Sequence, residues 1–144
     1  MDIELAEPRT PDEFEEYYDL RWRILRKPWT DEKQTGQDEY ERTAIHLAAW
    51  DGNKLVGTGR CYFISPNEAM IRGMAVEDGY KNQGIGSMIL KGLEERAMQV
   101  GATRIVLHAR ESALEFYRKN HYRVVERSYT LFHSIVHWRM YKDV

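Results

Sequence analysis

The pattern of apolar and polar residues predicts two helices of full length. The first begins at Thr10-Pro11-Asp12-Glu13, which is typical of a capping box with proline at the first helical position, and ends by about Lys27, before Pro28. The second follows Gly84, and its apolar residues keep helical spacing until Gly101 provides a stop signal. The apolar positions are Phe14, Tyr17, Tyr18 and Leu25 on the first helix and Ile85, Met88, Ile89, Leu93 and Ala97 on the second.

Between these helices the apolar residues form short runs separated by turn residues, which indicates strands. Residues 44–50 and 54–64 flank Asp51-Gly52-Asn53, so we expect a hairpin there. After the turn at Ser65-Pro66-Asn67, residues 69–76 predict a third strand that runs directly into a glycine-rich segment. These three strands would form an antiparallel meander.

The remainder of the chain predicts a strand, a short helix and two closing strands. Residues 103–109 form an apolar run, and Ser112-Ala113-Leu114-Glu115 resembles a second capping box for a helix that ends near Asn120. Residues 122–125 and 129–140 then alternate as strands. The longer of these strands would place one set of side chains on a single face, namely Phe132, Val136, Trp138 and Met140.

This order of elements predicts an α/β fold with a mixed sheet of the α+β kind, in which residues 1–144 form a single domain. The stretch 30–42 is polar, carries both signs of charge and is interrupted by Gly36, a pattern that does not distinguish a loop from a short helix. The chain has 144 residues, of which 42% are hydrophobic and 31% charged, as in ordinary soluble domains.

Charge and cysteine content narrow the class of protein further. The net charge of −2 gives no broad basic field for nucleic acid, so we expect no nucleic-acid partner. The single cysteine, Cys61, rules out an intramolecular disulfide, and the acidic N-terminus lacks the apolar run of a signal peptide. Since no window approaches the length of a membrane span, we expect a cytoplasmic protein with no membrane partner.

The glycine-rich segment has the composition of an anion site. A strand that ends at Val76, followed by a loop with Gly84 and Gly86 and then a helix, would present free backbone N–H groups at the positive end of the helix dipole. Lys81 and Ser87 add a charge and a hydroxyl nearby. By themselves two glycines also fit a simple tight turn, but no P-loop lysine follows and the third glycine of a dinucleotide fingerprint is absent.

The segment from Met74 to Gly86, Met-Ala-Val-Glu-Asp-Gly-Tyr-Lys-Asn-Gln-Gly-Ile-Gly, resembles the acetyl-CoA motif of the GNAT N-acetyltransferase superfamily. That motif usually reads Leu-x-Val, a turn and then Arg/Gln-x-x-Gly-x-Gly/Ala. The chain departs from it at three positions. The family often has Pro where this chain has Asp78, Arg or Gln where it has Lys81, and Gly where it has Asn82. The pattern Ala113-x-x-Phe116-Tyr117-x-Lys119 is similar to a second family signature, so the resemblance covers nearly the whole chain.

The resemblance implies a small bacterial-type GNAT fold with acetyl-CoA as cosubstrate and no metal. In the family the motif strand bends away from its neighbour, pairs with the pantetheine arm and leaves the thioester in a cleft, here between Val76 and Ala109. The implied acceptor is the amine of a small molecule or peptide, and homodimers occur in the family. The implied cofactor-binding residues are Met74, Ala75, Val76, Lys81, Asn82, Gln83, Gly84, Ile85, Gly86 and Ser87.

Acyl transfer to an amine needs a proton for the leaving thiolate and a base for the amine. Tyr117 is the candidate acid, because tyrosine is protonated at neutral pH, although Phe116 and Tyr117 also fit two buried core aromatics. His137, predicted to share a strand face with His133, is the candidate base or acceptor contact; its alternative is an ordinary strand-face histidine. Glu77, just beyond the motif strand, is a further carboxylate to consider.

The charge of the acceptor stays open in the sequence. A basic and aromatic cluster near the end of the first helix suits a carboxylate-bearing substrate, but it also fits solvated arginines. The acidic residues that follow suit a polyamine or aminoglycoside instead. The leading hypothesis is therefore direct acetyl transfer to an unidentified primary amine, and the alternative is a non-catalytic acyl-CoA-binding module of the same fold. The basic cluster comprises Arg21, Trp22, Arg23, Arg26 and Trp29, and the acidic one Asp31, Glu32, Asp38, Glu39 and Glu41.

Overall fold

A computed structural model describes residues 2–32 and 37–144, and within these ranges seven strands form one mixed sheet. The strands lie in the order β1-β2-β3-β4-β5-β7-β6, and only β4 and β5 pair in parallel. The elements are β1 (Ile3–Ala6), α1 (Pro11–Leu25), β2 (Ile45–Asp51), β3 (Lys54–Ser65), β4 (Glu68–Val76), α2 (Ile85–Gln99), β5 (Arg104–Arg110), α3 (Leu114–Lys119), β6 (Arg123–Leu131) and β7 (Ile135–Asp143). The predicted mixed α/β architecture is confirmed.

Helix α1 begins as its sequence predicts. The Thr10 hydroxyl accepts the Glu13 N–H at 3.1 Å, and the Glu13 carboxylate accepts the Thr10 N–H at 3.4 Å, which forms the capping box. The helix packs on β3 and β4, where Tyr17 and Leu20 are fully buried and the Tyr17 hydroxyl donates to the Gly59 carbonyl at 2.9 Å. The helix ends at Leu25, so the predicted end was two residues too late.

Helix α2 covers the opposite face of the sheet and packs very closely against β3. Gly59 makes this contact possible: a Cβ added there would lie 2.7 Å from the Met74 sulfur, 2.8 Å from Ile89 and 2.9 Å from Leu93. Ile89 and Leu93 are fully buried in the main hydrophobic cluster. The helix therefore sits at a distance from the sheet that only glycine allows.

Gly59→Ala is expected to lower the free energy of unfolding by about 1–3 kcal/mol, because the added methyl group overpacks the contact between β3 and α2. Chemical denaturation measures this effect. Gly79→Ala is the matched control, since a Cβ at Gly79 has no neighbour within 4 Å. Equal stability of the two variants would contradict the packing described here.

Three details of the prediction were wrong. Strand β1 was not predicted; it extends the meander by pairing with β2. The Ser112 capping box does not form, because residues Glu111–Ala113 make a 3₁₀ turn and Ala113 caps α3 without a side-chain hydrogen bond. The long closing strand is divided by a turn, in which Phe132 and His133 have φ values of 51° and 64°. His133 and Phe132 therefore do not lie on the strand that carries His137.

Where the stretch 30–42 is described, it contains turns and no helix, and Gly36 lies outside the described residues. Within residues 2–32 and 37–144, no helix has the length and apolar character needed to cross a membrane.

Strands β4 and β5 separate in the middle of the sheet. They pair in parallel from Glu68 with Arg104 to Ile71 with Leu107, and the pairing stops there. Gly73 follows with a φ of 69°, and the register between β3 and β4 shifts at this point, which is a β-bulge. The Thr58 hydroxyl donates to the Gly73 carbonyl at 2.8 Å and holds the bulge. The bend and separation implied by the family resemblance are thus present.

Candidate active site

A cleft of about 480 Å³ lies along the separated end of β4. It contains every predicted cofactor-binding residue except Gln83, whose exposed side chain instead donates to the Gly79 carbonyl at 3.4 Å. Helix α3 and the 3₁₀ turn before it close the other side of the cleft. The lining includes Met74, Ala75, Val76, Lys81, Asn82, Gly84, Ile85, Gly86 and Ser87 on one side and Ser112, Ala113, Phe116 and Tyr117 on the other.

The start of α2 opens into this cleft with its N–H groups unused by the helix. Gly84 is the N-cap in the left-handed conformation, with a φ of 82°, and the first intrahelical bond runs from the Met88 N–H to the Gly84 carbonyl at 3.0 Å. The N–H groups in the first turn of α2 therefore have no intrahelical acceptor. They lie at the positive end of the helix dipole and attract an anion, and no acidic residue in that turn competes with it. Lys81 contributes a positive charge that it shares with Asp78 at 3.0 Å.

Close packing between α2 and α3 shapes the cleft beside this helix start. A Cβ at Gly86 would lie 3.1 Å from the Phe116 ring, so the glycine keeps this part of the cleft open. The Ser87 hydroxyl accepts a hydrogen bond from the Asn120 amide at 3.2 Å, and the same amide donates to the Phe116 carbonyl at 2.9 Å. Asn120 thus links the end of α3 to the start of α2, a contact that sequence analysis missed because only folding brings these two segments together.

A second cavity, of about 180 Å³, lies on the α1 side of the sheet. It borders the first cleft where β4 and β5 separate, and five residues line both spaces. Among the residues that the structure describes, those lining the second cavity include five arginines, His108 and His137 but no aspartate or glutamate. The shared residues are Leu25, Met74, Arg110, Ala113 and Tyr117.

Tyr117 stands at the junction of the two spaces. Its ring is buried and makes edge-to-face contacts with Phe116 at 4.9 Å and Tyr122 at 5.8 Å between centroids. Burial raises the pKa of the Tyr117 hydroxyl well above its usual value of about 10. The hydroxyl is therefore protonated at neutral pH.

His137 is buried in the wall of the second cavity. Its Nδ1 atom lies 3.0 Å from the Ile135 carbonyl, which only accepts, so Nδ1 carries the proton and Nε2 is the basic nitrogen of the neutral ring. The ring stacks on Tyr129 with centroids 4.3 Å apart. Burial, with a smaller effect of the nearby Arg110, lowers the pKa of His137, so the imidazole is neutral at pH 7.

The other candidates for the base are placed differently. His133 lies in the turn between β6 and β7 and does not line either space. Glu77 is held by Arg23, whose guanidinium donates to both carboxylate oxygens at 3.0 and 2.9 Å. This pairing lowers the pKa of Glu77 and leaves it a weak base. In the described ranges, no group of three or more His, Cys, Asp and Glu side chains could hold a metal ion.

The model of the family described as Acetyltransferase (GNAT) matches residues 14–122, from within α1 to the residue before β6. The chain belongs to the GNAT acetyltransferase family. As a member of this family it is an acetyl-CoA-dependent acyltransferase. GNAT membership also accounts for the cleft, which brings together the start of α2 and the separated strands β4 and β5. Members of the GNAT family act on the amines of small molecules or peptides.

Individual relatives agree with the GNAT assignment. The uncharacterized N-acetyltransferase YjcF of Bacillus subtilis is 34% identical over 106 residues, which cover 74% of this chain and 75% of that protein. A crystal structure of a putative N-acetyltransferase from Lactobacillus plantarum has a TM-score of 0.84 at 19% identity, covering 99% of both chains. A Bacillus subtilis acetyltransferase solved in complex with CoA has a TM-score of 0.75 at 25% identity, covering 99% of this chain and 97% of that one. The GNAT fold is confirmed.

Proposed function

We propose that residues 1–144 act as one domain that transfers the acetyl group of acetyl-CoA to a primary amine by direct transfer in a ternary complex. One observation carries the proposal: the cleft at the start of α2 and the cavity beside His137 meet at Tyr117, where β4 and β5 separate. Cosubstrate and acceptor can then reach the same point from opposite sides of the sheet, so neither has to leave before the other binds.

The residues of the first cleft suit CoA. The backbone N–H groups of Ile85, Gly86 and Ser87 would hold the pyrophosphate, as helix N-termini with nearby glycine do. The Glu77 N–H donates to the Val56 carbonyl at 2.9 Å, so it points toward β3. Because successive strand residues direct their N–H groups to opposite sides, the Val76 N–H points into the gap and is placed to meet the thioester carbonyl.

Acetyl-CoA supplies the acetyl group as a thioester. Nε2 of the neutral His137 takes a proton from the acceptor amine as its nitrogen bonds to the acetyl carbon. Tyr117 gives its hydroxyl proton to the CoA sulfur as the carbon–sulfur bond breaks, and Tyr117 is then reprotonated from solvent. The products are the N-acetylated amine and CoA, and His137 releases the proton it took.

Direct transfer is favoured because the lone thiol is badly placed for covalent catalysis. Cys61 is fully buried in the main hydrophobic cluster, and burial raises its pKa to about 11. Initial rates measured against both substrates should give intersecting double-reciprocal lines. Parallel lines together with an acetylated protein in the intact mass spectrum would contradict direct transfer.

The activity itself is tested by incubating the protein with acetyl-CoA and a panel of amines, including amino acids, peptides, polyamines and aminoglycosides. We expect CoA release and N-acetylated product in equal amounts with at least one acceptor. Tight binding of acetyl-CoA, with no product from any amine, would instead support a non-catalytic acyl-CoA-binding module.

Gly86→Val is expected to weaken acetyl-CoA binding at least about tenfold, because the new side chain clashes with Phe116 and takes up space beside the N–H groups that would contact charged oxygens. Isothermal titration calorimetry measures the change. Gly79→Ala, in the neighbouring turn with open space around its Cβ, should bind acetyl-CoA as the wild type does. Unchanged affinity in Gly86→Val would place the cosubstrate elsewhere.

A further inference from the structure

The wall of the cavity beside His137 is cationic. Its arginines come from α1 and the C-cap residue that follows it, and from strands β3, β4 and β5, and no described aspartate or glutamate lines it. A cavity so walled attracts anions and repels molecules with several positive charges. The arginines are Arg21, Arg26, Arg60, Arg72 and Arg110.

Two carboxylates reach these arginines without lining the cavity. The Arg60 guanidinium donates to both oxygens of Asp38 at 2.8 Å, and Arg21 donates to Glu41 at 2.7 Å. Arg72 lies 3.7 Å from Asp38, whose oxygens Arg60 already engages. These acidic residues fix the arginines in place, and they do not present a negative surface to a ligand.

Arg110 is oriented mainly by neutral groups within the described residues. Its guanidinium donates to the Leu25 carbonyl at the end of α1 and lies over the Trp29 ring, 5.4 Å from the centroid. Burial leaves the charge of Arg110 poorly solvated and lowers its pKa. Nearby Arg72 also lowers the pKa values of Arg26 and His108, after the larger effect of burial. An anion between these groups would relieve both the poor solvation and the repulsion.

The register of the sheet places Arg110 beside His137. Arg110 on β5 is the direct cross-strand partner of His137 on β7. Directly opposed side chains in an antiparallel pair start from Cβ atoms about 4.5–5.5 Å apart. One acceptor molecule can therefore meet His137 with its amine and Arg110 with an anionic group.

The cavity has a volume of about 180 Å³, which leaves room for an amino acid or for the end of a longer chain. Given the acetyl transfer proposed above, we infer that the acceptor is an amine that also carries a carboxylate or phosphate group, bound by Arg72 and Arg110.

Matched acceptor pairs test this inference. Alanine against alaninamide and O-phosphoethanolamine against ethanolamine differ in the anion and keep a primary amine, and they separate carboxylate from phosphate recognition. We expect kcat/KM to be at least about tenfold higher for the anionic member of one pair or both, the effect of one charged hydrogen bond. Equal values within both pairs, or a preference for spermidine and kanamycin, would overturn the inference while leaving the acetyltransferase proposal intact.

Arg72→Gln should raise KM for anionic acceptors at least about tenfold and lower kcat/KM much more for anionic acceptors than for their neutral partners. Arg104→Gln is the control, because Arg104 lies at the far end of β5 in an exposed ion pair with Asp143. Melting temperature and acetyl-CoA affinity confirm that both variants are folded. A proportional loss with charged and neutral acceptors in Arg72→Gln would contradict anion recognition by Arg72.

A binding experiment keeps the inference testable without turnover. Lactate and inorganic phosphate are titrated by calorimetry into protein saturated with CoA, so that the first cleft is filled. We expect at least one of them to bind the wild type and Arg104→Gln, and to bind Arg72→Gln at least about tenfold more weakly. If this holds while no amine is acetylated, the anion site stands and the proposed activity fails; no binding of either anion overturns the site.

Discussion

Tyr117→Phe is expected to lower kcat about 100- to 10,000-fold, the range for loss of a general acid, with no change in acetyl-CoA affinity. The variant removes one oxygen from a buried ring and keeps its contacts with Phe116 and Tyr122. The leaving thiolate then lacks the proton that Tyr117 holds at the junction of the two spaces. Steady-state rates of CoA release and calorimetric acetyl-CoA binding measure the two quantities separately.

Tyr141→Phe is the matched control for this substitution. Tyr141 lies half-buried on β7, beside Arg104 and away from both spaces. It should keep wild-type kcat. If Tyr117→Phe also keeps wild-type kcat, Tyr117 is a packing residue and the proton comes from another group.

His137→Gln is expected to lower kcat/KM about 100- to 10,000-fold, because the acceptor amine loses its general base. His133→Gln is the control, since His133 lies in the turn and lines neither space. If the two variants have equal activity, His137 is not the base. A loss confined to KM would instead make it an acceptor contact.

The pH dependence of kcat/KM is a further test of His137 as the general base. His137 faces Arg72, His108, Arg110 and Tyr129, and burial lowers its pKa below the ordinary histidine value of about 6.5. Protonation removes the base, so wild-type kcat/KM should fall more steeply with decreasing pH below this value than above it, where only the fraction of neutral acceptor amine changes. The His137→Gln variant should lose this acid limb. An acid limb that persists unchanged in the variant would assign it to another group.

Local sequence signals predicted the helices well and the edges of the sheet poorly. The capping box at Thr10 lies within four residues, so it works without knowledge of the fold. Strand β1 (Ile3–Ala6) is too short to be recognised by alternation and depends on pairing with β2. The turn at Phe132 and His133 escaped notice because neither residue is a usual turn former, yet both adopt the left-handed conformation.

The cosubstrate cleft and the cationic cavity also differ in how well the sequence predicts them. Residues of the cosubstrate cleft follow one another along β4, its loop and α2, so a linear motif identifies them. The cationic cavity draws its arginines from α1 and three strands, and only the sheet assembles them. Asp38 and Glu41 follow the basic cluster in sequence and suggested a cationic acceptor. In the structure they hold Arg60 and Arg21, so their charge is not available to a substrate.

A crystal structure of the protein with CoA tests the central claim most directly. The account predicts the pyrophosphate on the N–H groups of Ile85, Gly86 and Ser87, and the CoA sulfur within hydrogen-bond reach of the Tyr117 hydroxyl at the gap between β4 and β5. A CoA molecule bound away from the start of α2, or with its sulfur remote from Tyr117, would contradict it.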